Sequence, residues 1–326
     1  MALMNSNTTE IKLAEPFKIT GKKVWVAGAS GMVGGAVVRK LASENCKILT
    51  PSHRELDLID QAAVNQWLAA NKPDVVVIAA ATVGGILANS TRPAEFIYNN
   101  IAIESNIIAA AHQNNVEKLL FLGSACIYPR EATQPMAEEA LLTGPLEPTN
   151  EWYAIAKIAG IKMCEAYRQQ YGCDFISAQP NNLYGPGDNF DLESSHVIPA
   201  LMHKAHIAKI NGNQTMPIWG SDQVFREFLY VDDCADALVH LIKYYSGAIH
   251  VNMGTGEEVT IKELAEIIAK VVGFEGELEF DTSKPDGSPR KLLDSSRMQR
   301  LGWTSTTSLK AGLATTYQWF LENISD

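Results

Sequence analysis

The sequence predicts an α/β fold, a doubly wound parallel sheet with a smaller C-terminal lobe, and three observations lead there. Short apolar runs recur at KKVWVA, DVVVIAAAT, KLLFLGS and DFISAQP, with long helical patterns between them. A glycine-rich turn, GASGMVG, joins the first run to the first helical pattern. After Asn181 the alternation gives way to NNLYGPGDNFDLESSH, rich in Gly, Asn and Asp, where a second lobe begins.

Residues 1–20 have neither a long apolar core nor a basic start, so they read as a leader, unlike a signal peptide or membrane anchor. KKVWVAGASGMVGGAVVRKLASENCKILT reads as strand, turn, amphipathic helix and second strand. DVVVIAAAT supplies the third strand, KLLFLGS the fourth and DFISAQP the fifth; PAEFIYNNIAIESNIIAAAHQ and EWYAIAKIAGIKMCEAYRQQ are the helices around the fourth. Strands alternating with helices imply a parallel sheet covered on both faces. The first domain is therefore expected over 21–181, with a return to it near 226–252. The rest of 182–326 forms the second lobe: a helix near 197–209, a loop around NGNQTMPIWG and a last helix in GLATTYQWFLEN.

Composition narrows the function. A formal charge of −10 argues against a broad nucleic-acid surface, and no stretch is long and apolar enough to span a membrane. Cys46, Cys126, Cys164, Cys173 and Cys234 are odd in number and lack C-x-x-C spacing, which points to a reducing cytoplasm.

In GASGMVG, glycines stand three apart directly after a strand and at a helix start. The backbone can approach a pyrophosphate there, as in a Rossmann-type dinucleotide domain. The second strand ends in TPSHRELDL, with no acid to hold a ribose 2′-hydroxyl and with Arg54 close behind, which favours NADP; a solvated surface Arg54 is the alternative. Asp57 comes too late for the ribose and suits the adenine side. Tyr153 and Lys157, four apart on a helical pattern, share a face, where an ammonium would lower the phenol pKa. Ser124 and Cys126, two apart where the fourth strand breaks off, face one space if the segment is extended. Cys126 also reads as a small buried hydrophobe, and His196 as a hydrogen-bonded structural histidine. His203 and His206 share a helical face, but no third ligand accompanies them and no metal is expected.

GASGMVG, Ser124 and the Tyr153-x-x-x-Lys157 pair together resemble the extended short-chain dehydrogenase/reductase family, from about Gly21 onward. LGSACIYP, NLYGPGDNF, SSHVIPAL, REFLYVDD and KPDGSPRKLLD are similar to a branch acting on GDP-4-keto-6-deoxy-D-mannose. That branch inverts carbons 3 and 5 and then reduces the 4-ketone with NADPH. The resemblance implies Cys126 as base and His196 as acid for the inversions, and Ser124, Tyr153 and Lys157 for the reduction. A thiol and an imidazole both ordinarily titrate near neutrality, where proton transfer is efficient. The resemblance also implies a cofactor-binding set of Gly28, Ala29, Ser30, Gly31, Met32, Val33, Gly34, Arg54, Asp57, Leu58, Leu122, Gly123, Lys157, Pro180, Asn181, Asn182, Leu183 and His196. It places Lys204, Trp219, Arg226 and Asp286 around the sugar nucleotide, although Trp219 also reads as core and Arg226 as a structural ion pair. A homodimer through the helical patterns at 93–113 and 151–170 is expected. The related dehydratases have Thr-Asp-Glu where this chain has Ser124-Ala125-Cys126, so water elimination is disfavoured. An epimerase-reductase for another GDP-4-keto sugar, of the colitose type, and a silent NADP-binding sensor are the remaining alternatives.

Overall fold

The computed structural model describes residues 16–283 and 289–324, with the backbone alone at 86 and 87. Its first half runs β1 (Lys23–Ala27), α1 (Met32–Leu41), β2 (Lys47–Leu49), α2 (Gln61–Asn71), β3 (Val75–Ile78), α3 (Ile86–Thr91), α4 (Pro93–Gln113), β4 (Lys118–Leu122), α5 (Glu151–Tyr171) and β5 (Phe175–Pro180). There follow β6 (Asn182–Tyr184), α6 (Val197–Ile210), β7 (Thr215–Trp219), β8 (Phe225–Tyr230), α7 (Val231–Tyr244) and β9 (Val251–Met253). The chain ends through β10 (Glu258–Thr260), α8 (Ile261–Val272), β11 (Glu277–Asp281), β12 (Arg290–Lys291), α9 (Ser296–Arg300) and α10 (Leu309–Asn323).

Six strands form one parallel sheet in the order β2-β1-β3-β4-β5-β9. Its strands are apolar on both faces because helices cover both. Val24 and Val26 join the core shared with α1 and α7, whereas Trp25 and Ala27 point to the core shared with α2, α4 and α5. This period-2 division fixes register, since a one-residue slip would exchange the two cores. Each fully buried Val, Ile or Leu in such a layer contributes about 1.5–3 kcal/mol. The strand order reverses about β1 and leaves a crevice at the strand C-terminal ends, where ligands of doubly wound sheets bind.

Phe17 and Ile19, counted with the leader from sequence, pack on the first core. The Phe17 amide donates to the Lys243 carbonyl at 2.8 Å. The second lobe has its own core, built on Met202, Ile218, Leu264, Ile268 and Phe320. Its strand β8 pairs with β6, β10 and β12, and β7 pairs in parallel with β11. The segment TMPIW, expected as loop, is thus a strand: its partner β11 lies far along the chain, and pairing that distant leaves no local pattern. A capping box between Thr260 and Glu263 starts α8.

Candidate active site

A cavity of 970 Å³ lies in the crevice, lined by both lobes. Its floor is the turn from β1 into α1. Gly28 takes φ +87°, in the left-handed region, and a Cβ there would lie 2.6 Å from the Ala80 amide nitrogen. At Gly34 a Cβ would sit 2.0 Å from the Gly28 carbonyl oxygen. Side chains are therefore excluded and backbone lines the cavity. Gly31 caps α1 with no side-chain hydrogen bond, leaving the amide-bearing helix end to the cavity. Uncapped amides, a positive helix end and bare backbone form a donor set that fits a dinucleotide pyrophosphate.

Of the proposed cofactor residues, Gly28 to Gly34, Asp57, Leu58, Leu122, Gly123, Lys157, Pro180, Asn181, Asn182, Leu183 and His196 all line this cavity. Arg54 does not: it is exposed, and its neighbour His53 lines the wall instead. The reason is the loop after β2, where the Ser52 carbonyl accepts from the Glu55 and Leu56 amides. Leu56 turns inward, 4% exposed, while the Arg54 side chain is exposed to solvent.

Ser124, Cys126, Tyr153, Lys157 and His196 line the same cavity. Ser124 and Cys126 meet there by a different route from the extended one expected. Residues 125–127 form a 3₁₀ turn that Ser124 caps, its Oγ accepting from the Cys126 amide at 3.4 Å. Tyr153 and Lys157 come from the first two turns of α5, with Lys157 Nζ 5.8 Å from the phenol ring centroid. Lys157 donates to the Leu122 carbonyl at 3.0 Å and lies 4.7 Å from the centre of the Phe121 ring. His196 precedes α6 as its N-cap.

Burial dominates the electrostatics. It pushes the Cys126 thiol up, while the Lys291 ammonium, the Ser124 hydroxyl and Lys157 pull it back. His196 is pushed down by burial, and Lys291 acts in the same direction. The two groups thus move in opposite directions from their ordinary values, because a low-dielectric wall favours the neutral forms of both. Tyr153 likewise stands well above the ordinary phenol range through burial, with Cys126 and Glu104 adding to the rise. The lowering expected from Lys157 does not prevail: the ammonium is itself buried and its own pKa is lowered.

Lys204, Trp219 and Arg226 line the second-lobe wall, where Lys204 Nζ lies 4.6 Å from the centre of the Trp219 ring. Trp219 is 55% exposed, so it is not core. Asp286 lies outside the described residues. His203 and His206 are engaged separately. One ring nitrogen of His203 meets the Phe190 carbonyl at 2.7 Å, and one of His206 meets the Tyr317 hydroxyl at 3.0 Å. No cluster of three metal-ligating side chains occurs among the described residues. Sequence reading passed over Lys291, which lines the cavity from β12 beside Arg226 in the strand register. A single lysine after a loop has no periodic signature, and only the pairing of β12 with β8 brings it to Cys126.

The chain belongs to the NAD dependent epimerase/dehydratase family, whose sequence pattern matches residues 24–254. It is 58% identical over 310 residues to a GDP-L-fucose synthase of Sinorhizobium fredii, covering 95% of this chain and 99% of that one. Identity to a GDP-L-colitose synthase of Yersinia pseudotuberculosis is 39% over 301 residues, covering 92% and 98%. Among solved structures, a GDP-L-fucose synthetase from Naegleria fowleri bound to NADP superposes with a TM-score of 0.88 at 30% identity, covering 96% of this chain and 98% of that one.

Proposed function

We propose that this protein is a bifunctional NADPH-dependent enzyme that epimerises GDP-4-keto-6-deoxy-D-mannose at carbons 3 and 5 and reduces the 4-ketone, giving GDP-L-fucose. The observation that carries this reading is one cavity wall presenting Cys126 and His196 together with Ser124, Tyr153 and Lys157. A reductase needs only the last three. The higher identity to the fucose-forming relative than to the colitose-forming one favours fucose over colitose.

Hydrogens on carbons 3 and 5 flank the ketone and are acidic because the carbanion delocalises onto the carbonyl oxygen. Cys126 as thiolate takes such a proton, and its burial gives it a high basicity toward carbon acids. Lys291 and Lys157 lower the cost of forming that thiolate. His196 returns a proton from the other side in its imidazolium form, which burial makes the stronger acid, and inversion follows from delivery to the opposite face. The enolate oxygen is held by the Ser124 and Tyr153 hydroxyls, since charge grows on that atom. In the second reaction the same oxygen takes the Tyr153 proton. When bound, NADPH supplies the hydride to carbon 4; the turn from Gly28 to Gly34 would hold its pyrophosphate and Lys157 its nicotinamide ribose. Lys204 and Arg226 suit the diphosphate of the sugar nucleotide, and Asp286 completes the proposed substrate set.

We further place the enzyme in the cytoplasm as a homodimer. Free cysteines fit a reducing compartment, and no described helix is long and apolar enough to cross a membrane. Tyr98 on α4 and Trp152 on α5 are large apolar side chains left 66% and 42% exposed. The test of the activity is purified protein with NADPH and GDP-4-keto-6-deoxy-D-mannose, with the product identified by proton NMR. GDP-L-fucose is expected; NADPH oxidised only with a 3-deoxy substrate would replace this reading with the colitose one, and no oxidation with either would leave a sensor.

A further inference from the structure

Glu104 lies on α4, outside the cavity wall, and is 1% exposed. A carboxylate so deeply placed costs several kcal/mol unless something balances it. Neither oxygen has a hydrogen-bond partner of ordinary geometry among the described residues, although the Gly160 amide is near enough to favour the ionised form. The carboxyl occupies space that α5 opens for it. A Cβ on Gly160 would meet Glu104 Oε2 at 2.8 Å and Phe121 Cζ at 2.3 Å. Gly160 stands three residues beyond Lys157, on the same helix face. Phe121, which shares that space with Glu104, has the Lys157 ammonium against its ring.

Lys157 has the complementary deficit. Its hydrogen-bond acceptor is the neutral Leu122 carbonyl, and burial disfavours its charge. Among the groups that favour the ammonium, Glu104 acts more strongly than Cys126. Tyr153 and Cys164 on α5 also feel the Glu104 charge. We propose that Glu104 is a positioning residue of the reductive step, the buried counter-charge that keeps Lys157 an ammonium.

This rests on the reductase reading above. Burial raises the Glu104 carboxyl to about 7. The carboxyl therefore gains its charge as pH rises through neutrality, the same direction in which the buried Lys157 ammonium, its own pKa lowered by burial, loses its proton. The carboxylate thus favours the Lys157 ammonium on the alkaline side.

Glu104→Gln preserves shape and removes the charge. The alkaline limb of the kcat profile for NADPH oxidation should move down by about one pH unit. That is about a tenfold loss on the alkaline side, with near-parent rates below neutrality. Gly160→Ala, which displaces the carboxyl, should move the limb the same way. An unmoved limb, or a uniform loss at every pH, would show a packing role and overturn the proposal. A second readout needs neither cofactor nor sugar: the infrared carboxylic-acid band missing from Glu104→Gln, followed against pH in protein alone. In Lys157→Met that band should persist to higher pH, since a carboxyl deprived of its cation holds its proton longer. An unchanged titration would sink the coupling even if the enzyme reduced another sugar, and a shifted one would uphold it even if the substrate reading failed.

Discussion

At the scale of single residues, the proposed mechanism makes Cys126 the residue that separates the two chemistries, because a thiol would act on carbon-bound hydrogens and a phenol on oxygen. Cys126→Ser puts a far weaker acid in place of the thiol, so solvent deuterium uptake at the carbons flanking the ketone should fall by about 10²–10⁴. NADPH binding should persist. In the parent, exchange should rise with pH above neutrality, since the thiol pKa is raised and the thiolate fraction grows toward it. Mass and NMR analysis in heavy water checks both. Parent-level exchange in Cys126→Ser would make the thiol a packing residue.

At the scale of elements, the β1–α1 turn and the β4–β5 ends each rest on a close contact. Gly34→Ala forces a methyl against the Gly28 carbonyl, costing about 1–3 kcal/mol of stability. NADPH affinity should weaken at least about tenfold, as the backbone proposed to face the pyrophosphate must shift. Calorimetry and a fluorescence titration read the two effects, and undiminished affinity would remove this turn from the cofactor site. At the other end of the sheet, Lys118 on β4 is 2% exposed and donates to Asp174 at 2.7 Å and to the Tyr245 carbonyl at 2.6 Å. Arg168 and Ser246 also bond Asp174. Although burial raises its pKa, Lys118, Ser246 and Arg168 together hold it below the usual carboxylate value. With the folded pKa depressed, this stabilisation is complete above the unfolded value near 4 and is lost as pH falls through the folded one. Asp174→Asn should cost about 3–5 kcal/mol at neutral pH, by leaving Lys118 buried and uncompensated. The deficit should shrink in acid. Urea unfolding at pH 7 and pH 3 would expose a pH-independent deficit and so refute the account.

At the scale of the whole molecule, the outer surfaces of α4 and α5 are the region to probe for assembly. Tyr98 and Trp152 there remain exposed beside the sheet-facing core, and a two-fold contact would bury them. Trp152→Glu together with Tyr98→Glu should convert a dimer of the parent to a monomer by light scattering at micromolar protein. Because Trp152 immediately precedes Tyr153, the monomer should also lose activity out of proportion to its loss of stability. A monomeric parent would end the proposal.

What the sequence determined by itself was the layered fold and the residue types of the chemistry. Apolar runs of strand length, a glycine turn and helical spacing are local signals, so β1 to β5, α1 and the Tyr153–Lys157 face were legible directly. The family likeness added the expected roles of Ser124, Cys126 and His196. Tertiary structure decided what depends on distance and dielectric. β7 is a strand because β11 pairs with it, and Lys291 reaches the cavity because β12 pairs with β8. The loop after β2 puts His53 and Leu56 on the cavity wall and leaves Arg54 exposed next to them. Burial, which no spacing encodes, drives the thiol and the imidazole apart in pKa and raises the Glu104 carboxyl. The physical reason is common to all four: strand register, side-chain direction and desolvation are properties of neighbours brought together by the fold, not of neighbours along the chain.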